Sequence, residues 1–160
     1  MKVRDVMIPN PTVCQLTDNL AAAASLMWEN DCGILPVLTE GEKVVGLITD
    51  RDICMAANLQ GRNLWNIAVE DVFSGDVYAC RADDDIRTAL KIMGEHKVRR
   101  LPVVASDGKL DGILSMNDIV LKAADSKDKK PGPLTYGDVV NTYKAICQHR
   151  LPVQVQAAGH

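Results

Sequence analysis

GLITDRD (Gly46–Asp52) and GILSMND (Gly112–Asp118) stand 66 residues apart, and each sets a short aliphatic run directly against a polar end. Three positions are common to both: a leading glycine, a hydroxyl at Thr49 or Ser115, and a closing carboxylate at Asp52 or Asp118. Asp50 and Arg51 face Met116 and Asn117 in the twin, so they occupy variable positions. The aliphatic run reads as a buried strand, and the polar end as the opening of a helix. Thr49 with Asp52, and Ser115 with Asp118, have the [ST]-x-x-[DE] spacing of a capping box, in which hydroxyl and carboxylate satisfy the first free N–H groups of a helix.

The pair is one part of a longer repeat. A gapless offset of 66 residues matches Val3–Ala57 to Val69–Ala123. Cys14 returns as Cys80, Asp18 as Asp84, Met27 as Met93, Leu35-Pro36-Val37 as Leu101-Pro102-Val103, and Lys43 as Lys109. A self-match of this length means two copies of one supersecondary unit. Each copy reads β-α-β-β-α. A short strand (TVCQL, Thr12–Leu16) precedes a helix with Asp18 or Asp84 as the expected N-cap. An apolar stripe follows at Leu20, Ala23, Ala24 and Met27, or at Ile86, Ala89, Leu90 and Met93. Two strands come next (ILPVL and VVGLI; RLPVV and LDGIL), joined by a polar turn where Asp107-Gly108 signals a hairpin. A unit of this size is marginal alone, so two copies are expected to pack as a pseudo-two-fold pair with clefts between them.

This is a mixed α/β (α+β) fold, with repeat 1 expected at residues 1–59, repeat 2 at 67–125, and a linker with a C-terminal helix at 126–160. SKDKKPGP (Ser126–Pro133) has linker composition. Thr135 and Asp138 then have capping-box spacing ahead of an apolar face at Tyr136, Val139, Val140, Tyr143, Ile146 and Cys147. That helix is expected to pack on its own domain or on a sister subunit.

Composition excludes several function classes. A net charge of −3 offers no broad attraction for nucleic acid or anionic lipid, and 4% aromatic residues are too few for a base-stacking platform. The most apolar stretch, Leu20–Trp28, is half a membrane span, and MKVRDVMIPNP lacks the apolar core of a signal peptide, so a cytoplasmic protein is expected. Five scattered cysteines and three histidines have no disulfide or metal spacing. Cys14 and Cys80 read as small core residues, and His96 as a surface residue late in a helix.

At the strand–helix junctions, a helix N-terminus presents free N–H groups to an anion such as phosphate, and a Ser or Thr hydroxyl can donate to it. An ionised Asp repels phosphate but accepts two hydrogen bonds from a ribose diol. The two together describe a nucleotide.

The β-α-β-β-α repeat, the LPV segments and the G-h-h-[ST]-x-x-D junctions resemble the CBS domain, and the tandem pair over residues 1 to about 125 resembles a Bateman module, as in stand-alone bacterial-type proteins of that family. The resemblance implies two clefts for adenosyl ligands: AMP, ADP or ATP first, S-adenosylmethionine or NADH as alternatives. One cleft would use Ser115, Asn117 and Asp118, with Arg100 reaching phosphate and Thr12, Cys32, Gly33 and Ile34 walling the adenine. The other would use Thr49, Arg51 and Asp52, walled by Tyr78, Val98, Arg99 and Arg100. Because Ile34 stands where copy two has Arg100, the Asp118 cleft is expected to hold phosphate more tightly.

The expected function is a non-catalytic regulatory module, a homodimer acting on a client protein in trans, with no required cofactor, metal, nucleic acid or membrane partner. No nucleophile–base pair or Gly-rich phosphate loop supports an enzyme. The competing reading is a dimerising scaffold without a physiological nucleotide.

Overall fold

A computed structural model describes residues 1–124 and 134–148. Repeat 1 contributes β1 (Ile8–Pro9), β2 (Cys14–Gln15), α1 (Leu20–Glu29), β3 (Ile34–Leu38), β4 (Val44–Thr49) and α2 (Asp50–Gln60). Repeat 2 contributes α3 (Ile86–His96), β5 (Arg100–Val104), β6 (Leu110–Ser115) and α4 (Met116–Lys122), and α5 (Tyr136–Cys147) follows. The strand expected first in repeat 2 is reduced to one parallel bridge between Cys80 and Val103, where repeat 1 has the two-residue β2 on β3.

Each repeat holds an antiparallel hairpin with the same register. Ile34 pairs with Thr49 and Val37 with Gly46 across β3 and β4, as Arg100 pairs with Ser115 and Val103 with Gly112 across β5 and β6. The leucine and valine of LPV point inward in both copies: Leu35, Val37, Leu101 and Val103 are fully buried.

The leading segments are exchanged between repeats. β1 pairs antiparallel with β6, Ile8 opposite Ile113. Its counterpart 66 residues on, Ser74, bridges Leu47 of β4 through N–H···O bonds of 3.0 and 3.1 Å. The N–H of Leu20 donates to the carbonyl of Ile67, and that of Ile86 to Met1. Val3 and Val6 therefore lie in the core of repeat 2, and Ile67 and Val69 in that of repeat 1. Lys43 bridges Lys109, its own repeat mate, which marks the pseudo-two-fold axis. The exchange also explains the glycine of each junction motif. A Cβ at Gly46 would stand 2.0 Å from the Phe73 ring, and one at Gly112 would stand 2.7 Å from the Ile8 carbonyl oxygen.

The helix caps differ from expectation by one residue. Asn19 and Asp85, not Asp18 and Asp84, cap α1 and α3, accepting from the N–H of Ala22 and Arg87. Asp18 and Asp84 instead accept from the N–H of Gln15 and Arg81, closing the turn before the cap at 2.8 Å each.

The tail helix packs on its own chain. α5 opens with the expected Thr135–Asp138 box and lies against α3, burying Val139 and Thr142. Tyr143 and Ile146 pack on the repeat 2 core, while Tyr136, Val140 and Cys147 stay exposed. Gly94 permits the close approach, since a Cβ there would meet that of Ala145 at 3.3 Å. The linker expected at Ser126–Pro133 lies outside the described residues. No described helix is long and apolar enough to cross a membrane.

Candidate ligand clefts

Two cavities lie between the repeats, each walled by both. The first, about 400 Å³, gathers Ser115, Asn117, Asp118 and Arg100 from repeat 2 with Thr12, Cys32, Gly33 and Ile34 from repeat 1. These are the eight residues expected together in the Asp118 cleft. The second, about 410 Å³, gathers Thr49 and Asp52 with Tyr78, Val98, Arg99 and Arg100. Arg51 is not in its lining. It sits on the exposed outer side of the first turn of α2, its N–H 2.7 Å from Asp50 Oδ1, whereas its mate Asn117 does line the first cavity.

Arg100 lines both cavities, and so does Ile34. Arg100 was expected in both clefts, Ile34 in the Asp118 cleft alone. Each residue begins a hairpin strand directly opposite the hydroxyl of its own repeat, where the wall is common to the two cavities.

Both junctions are capping boxes as well as cavity walls. Thr49 Oγ1 donates to Asp52 Oδ2 at 2.7 Å, and Ser115 Oγ to Asp118 Oδ2 at 2.5 Å. The same Oδ2 accepts the backbone N–H of Thr49 at 2.9 Å and of Ser115 at 3.0 Å. All of these bonds fall on Oδ2. Oδ1 carries no bond within the box, and its lone pairs can accept from a hydroxyl donor. The carboxylate thus stays ordered whether or not a ligand occupies the cleft, which spares part of the ordering cost of binding.

Several lining residues carried no sequence signal. Ile8 and Asn10 line the Asp118 cavity, and their mates Ser74 and Asp76 line the other, because the exchanged segments run past both junctions. His96 is exposed, as expected, yet it also lines the Asp52 cavity, its ring stacked on Tyr78. A left-handed residue ends the helix turn of each repeat (Asp31, φ 47°; Lys97, φ 56°) and leads the next three residues along the cleft wall. Among the described residues no group of three or more His, Cys, Asp or Glu is gathered as a metal site.

A doubled β-α-β-β-α unit with exchanged leading segments and two clefts closed by paired Ser/Thr–Asp boxes defines a tandem-repeat module. The chain belongs to the CBS domain family, whose model matches residues 3–58 and 69–125. It is 34% identical over 116 residues to hypoxic response protein 1 of Mycobacterium tuberculosis, covering 72% of this chain and 80% of that one. The crystal structure of that protein, with two coordinated zinc ions, matches at TM-score 0.71 and 31% identity over 78% of this chain and all of the other. An uncharacterised protein of Methanopyrus kandleri is 32% identical over 117 residues; the match spans 73% of this chain and 57% of that relative. The structure of CBSX2 in complex with AMP matches at TM-score 0.66 and 29% identity, over 75% of this chain and 93% of that one.

Proposed function

We propose that the chain is a non-catalytic sensor module that binds an adenosyl ligand, with AMP, ADP or ATP first in order, in the clefts between its repeats. The observation that carries this reading is the meeting of a hydroxyl, a carboxylate and a cation with a backbone wall from the opposite repeat in one cavity of about 400 Å³. Oδ1 of Asp118 or Asp52 accepts from ribose, and Arg100 draws the phosphate. Adenine rests on the turn from the other copy. The AMP complex of the related CBSX2 supports the same ligand class.

Signalling follows from the exchange of segments. Asn10 and Asp76 sit in the clefts just past the segments that clasp the opposite repeat, so a ligand that prefers one spacing of the repeats biases their relative position. Lys97 adds a route to the tail: it lines the Asp52 cavity, and its ammonium lies 2.8 Å from the Gln148 carbonyl just past α5.

A homodimer through the α1–α2 face of repeat 1 fits the same module. In repeat 2 α5 packs on α3 and leaves Leu121 of α4 exposed at 83%, whereas repeat 1 exposes Trp28 at 86% and Leu59 at 74%. Trp28 stands where repeat 2 has Gly94, so that face cannot take a helix as closely as α3 takes α5. A second copy that sets its own Trp28 and Leu59 against these side chains is the occupant proposed for this face. Light scattering on wild type and Trp28→Glu tests it: a dimer that dissociates is expected, and a wild-type monomer overturns it.

The decisive test of ligand binding is thermal shift and calorimetry with AMP, ADP, ATP, S-adenosylmethionine, NADH and cyclic di-AMP. A ligand bound only by the folded state stabilises it by ~2.7 kcal/mol at a hundredfold excess over Kd. At least one ligand is expected to raise Tm, and Asp118→Ala or Asp52→Ala to remove its calorimetric signal. If none binds, the scaffold reading replaces this one.

A further inference from the structure

The two clefts have walls of opposite charge. The wall of each is the four-residue turn that leaves the first helix of the other repeat. It reads Asp31-Cys32-Gly33-Ile34 beside the Asp118 box and Lys97-Val98-Arg99-Arg100 beside the Asp52 box. Internal symmetry makes the comparison position by position: Lys97 replaces Asp31, Arg99 replaces Gly33 and Arg100 replaces Ile34. With every lining group included, the Asp118 cavity has one cation, Arg100, against two carboxylates, Asp31 and Asp118. The Asp52 cavity has three cations, Lys97, Arg99 and Arg100, against two carboxylates, Asp52 and Asp76, with His96 beside them. Lys97 already contacts the Gln148 carbonyl, a neutral acceptor that leaves its charge uncompensated.

Space reinforces the difference. Gly33 is overlaid by the Asp50 carboxylate, whose Oδ2 would stand 2.9 Å from a Cβ there. The Asp118 side therefore has a third acidic group immediately behind its wall, at the position where repeat 2 has Met116. A triphosphate there would face two or three carboxylates with a single guanidinium to answer them, whereas the other cleft sets three cations against two carboxylates.

We infer that the clefts sort adenosyl ligands by charge: the Asp52 cleft takes a polyphosphorylated ligand, and the Asp118 cleft takes one with a single phosphate, none, or a cationic side group. This rests on the adenosyl reading above and reverses the cleft ranking drawn from Arg100 alone. A chain built this way compares a charged and an uncharged member of one ligand class, rather than counting a single ligand twice.

The test is calorimetry on the full chain with adenosine, AMP, ADP and ATP, first in wild type and then with one cleft silenced by Asp52→Ala or Asp118→Ala. With Asp118→Ala, affinity is expected to rise along the series, ATP binding about ten-fold more tightly than AMP. With Asp52→Ala, affinity is expected to stay level or fall from AMP to ATP. Arg99→Gly, which installs the repeat 1 residue, is expected to cut the ATP preference about ten-fold. Should the aspartate variants unfold, wild type still discriminates: raising salt from about 0.05 M to about 0.5 M is expected to weaken the ATP site and leave the adenosine site unchanged. Equal ATP-to-AMP ratios in the two clefts, or one salt response for both sites, overturn the sorting while adenosyl binding stands. Failure of all four ligands to bind takes both readings down.

Discussion

The imidazole of His96 lies over the ring of Tyr78 with centroids 3.7 Å apart and planes at 17°. The two residues come from different parts of repeat 2, the end of α3 and the segment before the Cys80 bridge, and the stack ties both to the wall of the Asp52 cleft. Removing it with His96→Ala is expected to cost about 0.5 kcal/mol, the low end for an aromatic pair with an exposed member. It is also expected to weaken ligand binding in the Asp52 cleft alone, because Tyr78 then loses the partner that fixes its rotamer. Urea unfolding reads the first effect and calorimetry the second. Equal weakening in both clefts would contradict the assignment of this pair to one wall.

Gly46 and Gly112 carry the exchange of segments. At Gly46 an added methyl meets the Phe73 ring and, at 2.4 Å, the Ser74 carbonyl oxygen; at Gly112 it meets the Ile8 carbonyl oxygen. Backbone cannot rotate aside as a side chain does. Gly112→Ala and Gly46→Ala are each expected to destabilise by about 1–3 kcal/mol, although alanine is ordinarily the better strand residue. Gly41→Ala is the control, since its Cβ would touch only Thr39 Oγ1 at 3.8 Å. Denaturant midpoints that leave all three variants level with wild type would refute the clasp.

The same glycines show where sequence reading stops. The hairpins, their shared register and the tail helix were legible because alternation, Pro, Asp-Gly and the capping spacing are local signals. Val3–Pro9 and Val69–Ser74 have no period of their own, and their partners lie in the other repeat, so nothing local announces the crossing. The cap was misassigned because Asp18 and Asn19, like Asp84 and Asp85, are adjacent residues that can both cap; only the N–H of Gln15 or Arg81 decides which is already engaged. The eight residues of the Asp118 cleft came from the resemblance to the CBS domain, carried over by position, and one cavity gathers them. The sharing of Ile34 between the cavities was not expected, because it depends on where β3 begins relative to the axis.

Cysteine chemistry divides along the same lines. Burial, reinforced by the neighbouring carboxylates Asp18 and Asp84, pushes the thiols of Cys14 and Cys80 up to about 12. They stay protonated and unreactive. Cys54 and Cys147 are exposed, and Cys32 is half-buried in the Asp118 cleft. Alkylation at about pH 8 followed by mass spectrometry is expected to label Cys54 and Cys147 first. Cys32 follows slowly and is protected by a ligand in the Asp118 cleft, while Cys14 and Cys80 react only in denaturant. Labelling of Cys14 or Cys80 in the folded protein would contradict the core described here.

The docking of α5 has a pH limit set by Asp138. The backbone N–H of Thr135 holds its carboxyl below the ordinary aspartate value of 3.8; partial burial opposes this, and the Thr135 hydroxyl and Arg87 reinforce it. Arg87 Nη2 reaches Asp138 Oδ2 from α3 at 3.3 Å, so the carboxylate caps α5 and tethers it to repeat 2 together. A carboxyl with a folded pKa below its unfolded one contributes stability above the unfolded value and loses it as pH falls through the folded one. Stability of the tail is therefore expected to be level from neutrality down to about pH 4 and to decline below it. Hydrogen exchange of the α5 amides across that range measures it. Asp138→Asn is expected to flatten the dependence and raise exchange at neutral pH. Arg87→Ala is expected to weaken it partly, because the Thr135 contribution, the larger one, remains. An unchanged acid response in Asp138→Asn would assign the transition to another carboxylate.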